Sequence, residues 1–235
     1  MLKYILFDLD GTLLPMDQDI FVKAYFGAIA KKLSNHGYEP QSLIRAIWAG
    51  TEKMIKNDGK ATNEAVFWDY FSTVFGKHVI DDMPLFDDFY KNDFDLVKES
   101  CGYSPKAAEM IAKLKSMNLK LVLATNPIFP SIATQKRIVW AGLSPENFEL
   151  YTTYENSRYS KPSLMYYKDI LNKIGAKPQE CLMVGNDVSD DMPAKGIGID
   201  VFLLTNNLIN KSCVDISIYP NGSFDDLIEY IKTRV

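Results

Sequence analysis

Two carboxylates stand two residues apart in Phe7-Asp8-Leu9-Asp10-Gly11-Thr12-Leu13, directly after a short apolar run. A carboxylate can act as a nucleophile, and a second one beside it can carry protons. Three further clusters have a similar setting. Leu121-Val122-Leu123-Ala124-Thr125-Asn126 ends an apolar run in the Thr125 hydroxyl, which can hydrogen-bond a phosphoryl oxygen, with Asn126 placed to shape the site. In Lys161-Pro162 the proline pushes Lys161 toward an extended backbone. Its ammonium can neutralise both a carboxylate nucleophile and phosphoryl charge. In Val184-Gly185-Asn186-Asp187-Val188-Ser189-Asp190-Asp191 an acidic cluster follows an apolar run, which suits a hard cation with oxygen ligands.

The elements that must position these residues read as alternating strands and helices. Short apolar runs at 3–7, 119–124, around 148–152, 181–184 and 199–204 have the length and composition of buried strands. Helical patterns at 105–117, 131–141, 163–174 and 189–196 separate them. Such alternation predicts an α/β fold, a Rossmann-like parallel sheet with helices on both faces. Each cluster falls at the carboxyl end of a predicted strand, where open parallel sheets bind ligands.

Residues from about 15 to 100 read differently. Phe67, Tyr70, Phe71, Val74 and Phe75 mark one apolar helical face. Ile20, Ala24, Ala28 and Ile29 suggest a second helix, and Leu43 to Ile55 a third. No strand pattern interrupts them. An all-helical block placed after the first strand predicts an inserted cap domain over 15–100, with the α/β core in 1–14 and 101–235. Within the block, Trp48, Trp68 and Lys53 are candidates for substrate selection, although packing or surface is the commoner use of such residues. The six aspartates between 81 and 95 lack the spacing of a calcium loop and read as a solvated face or loop.

At 235 residues, the chain can bury a sizeable core without disulfides or a structural metal. A net charge of −4 argues against nucleic acid as the main partner, since phosphate backbones require clustered Lys and Arg. Cys101, Cys181 and Cys213 are odd in number, far apart and free of any CxxC, so they read as free thiols in a reducing cytoplasm. No stretch approaches 18 apolar residues, and the N-terminal run is too short for a signal peptide. A membrane partner is therefore not expected. A monomer or weak homo-oligomer is the default for a chain of this size.

The run Asp8-Leu9-Asp10-Gly11-Thr12-Leu13 resembles the signature of the haloacid dehalogenase-like hydrolases, a superfamily dominated by phosphatases. Thr125, Lys161 and the cluster at Asp187 follow in the order that family uses. The resemblance covers residues 1–14 and about 103–205, and the helical block resembles the cap that relatives insert between the first and second motifs. It implies Mg²⁺ held by Asp8, the Asp10 carbonyl and Asp187, with Asp191 and Asn186 in support. It implies Asp8 as nucleophile, Asp10 as proton carrier, and Thr125, Asn126 and Lys161 on the phosphoryl group of a small phosphorylated metabolite. Many relatives have Gly followed at once by Asp, whereas Asn186 intervenes here, which leaves the roles of Asn186, Asp190 and Asp191 open.

Several other activities share parts of this pattern. A phosphomutase would use the same first step. The family's dehalogenases lack the second aspartate of the first motif and need no metal, so Asp10 and Asp187 argue against them. A phosphonate hydrolase would require a cap lysine. A non-catalytic ligand-binding relative, or a receiver domain, would retain acidic residues without turnover, but receiver domains are about half this length and lack a cap.

Overall fold

Alternating apolar residues in five short runs build the sheet, and they do so by sending successive side chains to opposite faces. The computed structural model describes residues 1–235. Six parallel strands, β1 (Tyr4–Phe7), β2 (Lys120–Leu123), β3 (Leu150–Tyr151), β4 (Cys181–Gly185), β5 (Asp200–Leu204) and β6 (Asn221–Gly222), lie in the order β3-β2-β1-β4-β5-β6. Ile5, Phe7, Leu121, Leu123, Leu182, Val184, Phe202 and Leu204 point to one face. Tyr4, Leu6, Val122, Ala124, Cys181, Met183, Val201 and Leu203 point to the other. Both faces are covered, as an all-parallel sheet requires. The first packs on α5 (Pro105–Ser116), α6 (Ser131–Trp140) and α8 (Phe224–Lys232), and the second on α7 (Leu164–Ile174).

The register brings the motif-bearing ends together. Phe7 pairs with Leu123 on one side and Val184 on the other. The residues that follow these three positions therefore leave the sheet side by side. The chain order also reverses direction at β1, between β2 and β4, and this switch point is where such sheets open a crevice.

Between β1 and α5 the chain forms no strand. It forms α1 (Gln18–Ser34), α2 (Pro40–Ile55), α3 (Asn63–Phe75) and α4 (Met83–Asp88), then a π turn at Phe89–Asp93 and a 3₁₀ stretch at Phe94–Ser100. Asp17 and Thr62 cap α1 and α3 by accepting from first-turn amides. The excursion starts and ends at one place, since Met16 bridges Cys101 and the Gly102 amide donates to the Pro15 carbonyl at 2.7 Å. One apolar cluster continues from the sheet through Phe129 into Tyr25, Phe67, Phe71 and Phe94. The helices are thus packed on the sheet layer and share its core.

Several elements depart from the sequence reading. The acidic stretch 81–95 keeps its aspartates on a solvated face, as expected, but that face is largely helical and much of its charge is partnered. Lys32 pairs with Asp88 at 2.6 Å and Asp93 at 2.7 Å, Lys136 with Asp95 at 2.5 Å, and Tyr38 donates to Asp82 at 2.7 Å. The expected helix at 189–196 is a 3₁₀ segment at Met192–Ile197, because Pro193 lacks a donor and Gly196 and Gly198 disfavour a longer helix. Strand β6 and helix α8 extend the sheet beyond the last expected strand. Phe224, Leu227, Ile228 and Ile231 supply the buried face of α8 with helical spacing. All three cysteines are free thiols, and no helix is long and apolar enough to cross a membrane.

A buried amide ties the helical layer to the loops of the sheet. Asn63 is fully buried at the start of α3 and donates to the Pro127 carbonyl at 2.9 Å and to the Ser160 hydroxyl at 3.0 Å. Its oxygen accepts from Asn57 at 2.8 Å, and Ser160 donates onward to the Met54 carbonyl at 3.1 Å. Truncating Asn63 would leave several of these groups buried without partners. Asn63→Ala is expected to lower stability by about 2 kcal/mol, from the cost of unpaired buried polar groups, measured as the shift in urea unfolding.

Candidate active site

Strand ends, one loop lysine and one helix arginine build the site. Asp8 is the first residue past β1, and its amide still donates to the Val184 carbonyl of β4 at 2.9 Å. Gly11 then turns with φ +86°, and an added Cβ there would lie 2.4 Å from the Asn186 amide nitrogen. A side chain is therefore excluded on two counts. This tight turn swings Thr12 back, so that its hydroxyl lies 3.1 Å from Asp8 Oδ2 and 2.9 Å from Asn186 Oδ1.

Lys161 is buried at 1% side-chain exposure, and its ammonium bridges two carboxylates. It donates to Asp8 Oδ1 at 2.8 Å and to Asp191 Oδ1 at 2.6 Å. Burial works against the Lys161 charge, but the Asp191 and Asp8 carboxylates outweigh it and hold the ammonium well above the usual lysine range. Burial raises the Asp191 carboxyl, with the Lys161 ammonium opposing and Asp8 adding to the rise. The second Asp191 oxygen accepts from the Asp187 amide at 3.0 Å. Gly185 is required beneath it, because a Cβ there would meet Asp191 Oδ2 at 2.0 Å.

Asp187 forms an Asx turn. Its Oδ1 accepts from the Ser189 amide at 2.7 Å and the Asp190 amide at 3.2 Å, which leaves Oδ2 outside that turn. Asn126 spans two motifs, accepting from the Lys161 amide at 3.3 Å and donating to Asp190 at 3.4 Å. The Thr125 carbonyl is held by the Thr152 hydroxyl at 2.6 Å and the Tyr166 hydroxyl at 2.8 Å, and Thr125 lines the cavity. Asn186 is fastened through its Nδ2 to the Asn207 carbonyl at 2.7 Å. Asp8, Asp10, Thr125, Asn126, Lys161, Asn186, Asp187 and Asp191 all line one cavity of about 290 Å³. Trp48 and Trp68 line it too, whereas Lys53 sits 5.8 Å above the Tyr70 ring and is not part of the wall.

The four motifs do not contain Arg137, which the structure brings to Asp10. Arg137 is fully buried on α6, and one guanidinium nitrogen donates to Asp10 Oδ2. The rest of the guanidinium is held by the Ala133 carbonyl and the Thr134 hydroxyl, both at 3.4 Å, and lies 4.4 Å from the centre of the Phe129 ring. The other Asp10 oxygen, Oδ1, is buried with no partner. Burial raises the Asp10 carboxyl above its ordinary range; Arg137 opposes the rise and Asp8 adds to it. A carboxyl with one oxygen anchored, one free and a raised affinity for a proton suits proton transfer. The Thr12 contacts to Asp8 and Asn186 likewise do not show in the spacing of the motifs.

No three His, Cys, Asp or Glu side chains converge as a metal cage. Asp8 and Asp187 line the cavity together with Asp10, Asp190 and Asp191. Mg²⁺ keeps several waters and needs only one or two protein carboxylates. The all-oxygen donor set, with Asp187 Oδ2 outside its turn, fits that ion.

A family model for the haloacid dehalogenase-like hydrolases matches residues 2–198, and the chain belongs to that family of hydrolases. It is 26% identical over 239 residues to a glyceraldehyde 3-phosphate phosphatase of Methanocaldococcus jannaschii, covering 99% of this chain and 98% of that one. Its fold is similar to that of an HAD phosphatase from Thermococcus onnurineus (TM-score 0.61, 17% identity, 98% of each chain covered). It is also similar to a 2-haloacid dehalogenase from Pseudomonas syringae pv. Tomato DC3000 (TM-score 0.66, 17% identity, 100% of each chain covered).

Removing one member of a buried ion pair strands the other. Arg137→Met is expected to lower stability by about 2–4 kcal/mol, on the order found for broken buried pairs with some relief because Asp10 is partly exposed, read by urea unfolding. An unfolding curve matching that of the wild type would show that the pair holds nothing.

Proposed function

We propose that the chain is a magnesium-dependent phosphatase that hydrolyses a small phosphate monoester through an aspartyl-phosphate on Asp8. The observation that carries this reading is the pairing of Asp8 Oδ1 with the buried Lys161 ammonium beside Asp10, whose Oδ1 is buried and free. Both are needed for nucleophilic displacement at phosphorus, and only the first for displacement of a halide. The family supports hydrolysis and the Methanocaldococcus relative supports a phosphate ester. The similar folds include both phosphatases and dehalogenases and do not choose between them.

In this reading residues 1–14 and 101–235 form the catalytic core and residues 15–100 the helical cap. Asp8, the Asp10 carbonyl and Asp187 would hold the metal, with Asn186 and Asp191 in support. When bound, Mg²⁺ offsets the repulsion between an anionic nucleophile and an anionic phosphate. Lys161 and Thr12 orient the Asp8 carboxylate. Its free lone pair attacks phosphorus in line, the bond from phosphorus to the ester oxygen breaks, and Asp10 gives its proton to that oxygen to release the alcohol. Asp10, now ionised and anchored by Arg137, takes a proton from water. The resulting hydroxide attacks phosphorus, which releases phosphate and restores the Asp8 carboxylate. Lys161, the Thr125 hydroxyl and nearby backbone amides hold the phosphoryl oxygens as charge shifts outward. Asn126 keeps the Lys161 backbone and Asp190 in register. Glyceraldehyde 3-phosphate, the substrate in the relative's name, is one candidate ester.

Phosphate release from a panel of monoesters, with Mg²⁺ and with EDTA, tests the reading. Asp8→Asn is expected to abolish release while circular dichroism and unfolding stay native; retained wild-type turnover would falsify the role of Asp8. For Asp10→Asn, the loss of general acid–base help predicts a fall in kcat of about 10²–10⁴-fold. A change under threefold would remove Asp10 from proton transfer.

A further inference from the structure

Where the cavity leaves the aspartates, its chemistry changes. Of its 29 lining residues 16 are hydrophobic, and the helical layer supplies most of them. Phe26, Trp48, Phe67, Trp68, Phe86 and Tyr154 supply an aromatic wall to the cavity that Asp8 also lines. Trp68 stands edge-on to Phe67, centroids 5.3 Å apart, and to Phe86 at 5.1 Å, while Trp48 packs on Phe26 at 5.3 Å. Trp48 is 52% exposed, whereas Trp68 is buried.

The charged lining is one-sided. Lys161 is the sole cation, and both Asp8 and Asp191 already hold it. The other charged side chains are aspartates: Asp8, Asp10, Asp187, Asp190 and Asp191 at the base, and Asp87 among the helices. Arg137 is turned to Asp10 and is absent from the wall. The Tyr25 and Tyr90 hydroxyls bond each other at 2.8 Å, which lowers their call on a polar ligand. A leaving group carrying a carboxylate or a second phosphate would thus enter a mostly apolar cavity with no free cation to meet it, and the exposed Asp87 adds charge of the same sign. A neutral ring or aliphatic group would instead lose apolar surface to the aromatic wall.

We propose that the substrate is a phosphate monoester of an uncharged, largely apolar alcohol, and that the helical wall around Trp48 and Trp68 selects it. This rests on the phosphatase reading above. It excludes phosphocarboxylates such as phosphoglycolate, and bisphosphates. It therefore also sets this chain apart from a mutase that must hold a bisphosphate.

The test compares kcat/KM for benzyl phosphate, propyl phosphate, glyceraldehyde 3-phosphate and phosphoglycolate with the full chain and Mg²⁺. Benzyl and propyl alcohols are both poor leaving groups, so their ratio reports mainly on recognition. The expected order places benzyl phosphate about tenfold or more above propyl phosphate, from burial of the extra apolar surface. Phosphoglycolate is expected at least about tenfold below propyl phosphate, from its unmet charge. Trp48→Ala, at an exposed position, is expected to reduce the benzyl-to-propyl ratio at least threefold, mainly through KM. Benzyl phosphate at or below propyl phosphate or glyceraldehyde 3-phosphate overturns the apolar preference. Phosphoglycolate equal to the neutral esters overturns the charge exclusion. In either case, release that still requires Asp8 leaves the phosphatase reading standing. Loss of Asp8 dependence, or no release from any ester, overturns both.

Discussion

A lysine ammonium with 1% side-chain exposure lies between the carboxylates of Asp8 and Asp191, at 2.8 and 2.6 Å. An isolated charge taken out of water costs several kcal/mol, so this one exists only where carboxylates meet it with good geometry. That requirement reaches through the fold. Asp8 must sit at the end of β1 and Asp191 one turn past β4, and the loop before α7 must carry Lys161 between them. Parallel pairing of Phe7 with Val184 brings the first two to the same level. Asn126 fixes the third by accepting from the Lys161 amide. Even the glycine at 185 follows, because the Asp191 carboxylate fills the space a Cβ would need.

A second buried pair divides the labour within the first motif. Lys161 serves Asp8, and Arg137 serves Asp10 from the opposite side. Two neighbouring aspartates thereby acquire different environments from two different cations. Asp8 is presented as an oriented carboxylate. Asp10 keeps one oxygen anchored and one free, in a setting that favours a proton. Separating two carboxyls in this way is a general route to acid and base chemistry near neutral pH. The helical layer completes the site with a different material. It contributes thirteen apolar and aromatic residues to the cavity lining against three polar ones, Gln18, Thr51 and Asp87, so the acidic base and the apolar wall of the cavity come from separate stretches of chain.

Much of this was legible from residue order. The strands at 4–7, 120–123, 181–185 and 200–204 appear within a residue or two of the apolar runs that announce them, because buried parallel strands are continuous apolar segments. The helical character of 18–75 followed from 3.6-residue spacing. The residues named from the motifs all line one cavity. Those after β1, β2 and β4 do so because the register aligns these strand ends, whereas Lys161 is not at a strand end as expected but reaches the site from the loop between β3 and α7. Helix α8 carries an equally clear period in Phe224, Leu227, Ile228 and Ile231, but it lies past the last motif. The 3₁₀ segment after Asp191 and the ion pairs on the solvated face of 81–95 are not visible in residue order for another reason. Local composition does not reveal which cations will face a run of aspartates, and Lys32 lies more than 50 residues away from Asp88 and Asp93.

By itself the sequence determined the class of fold, the order of strands and helices, and the side chains able to attack, donate and coordinate. These depend on periodicity and short motifs, which are local properties of a chain. Only the tertiary structure decided which cation meets which carboxylate. Arg137 shares the helical face of Ala133 and Ile138 and so was bound inward by its spacing, but its partner, Asp10, is 127 residues away. Tertiary structure alone also placed Phe67 and Trp68 of α3 in the wall of the cavity that holds Asp8, while Phe71 of the same stripe packs in the core. A stripe of Phe and Trp reads as core whether it meets another helix or an open pocket, because burial has the same signature in both; what distinguishes them is the space left between layers, and that exists only after they pack.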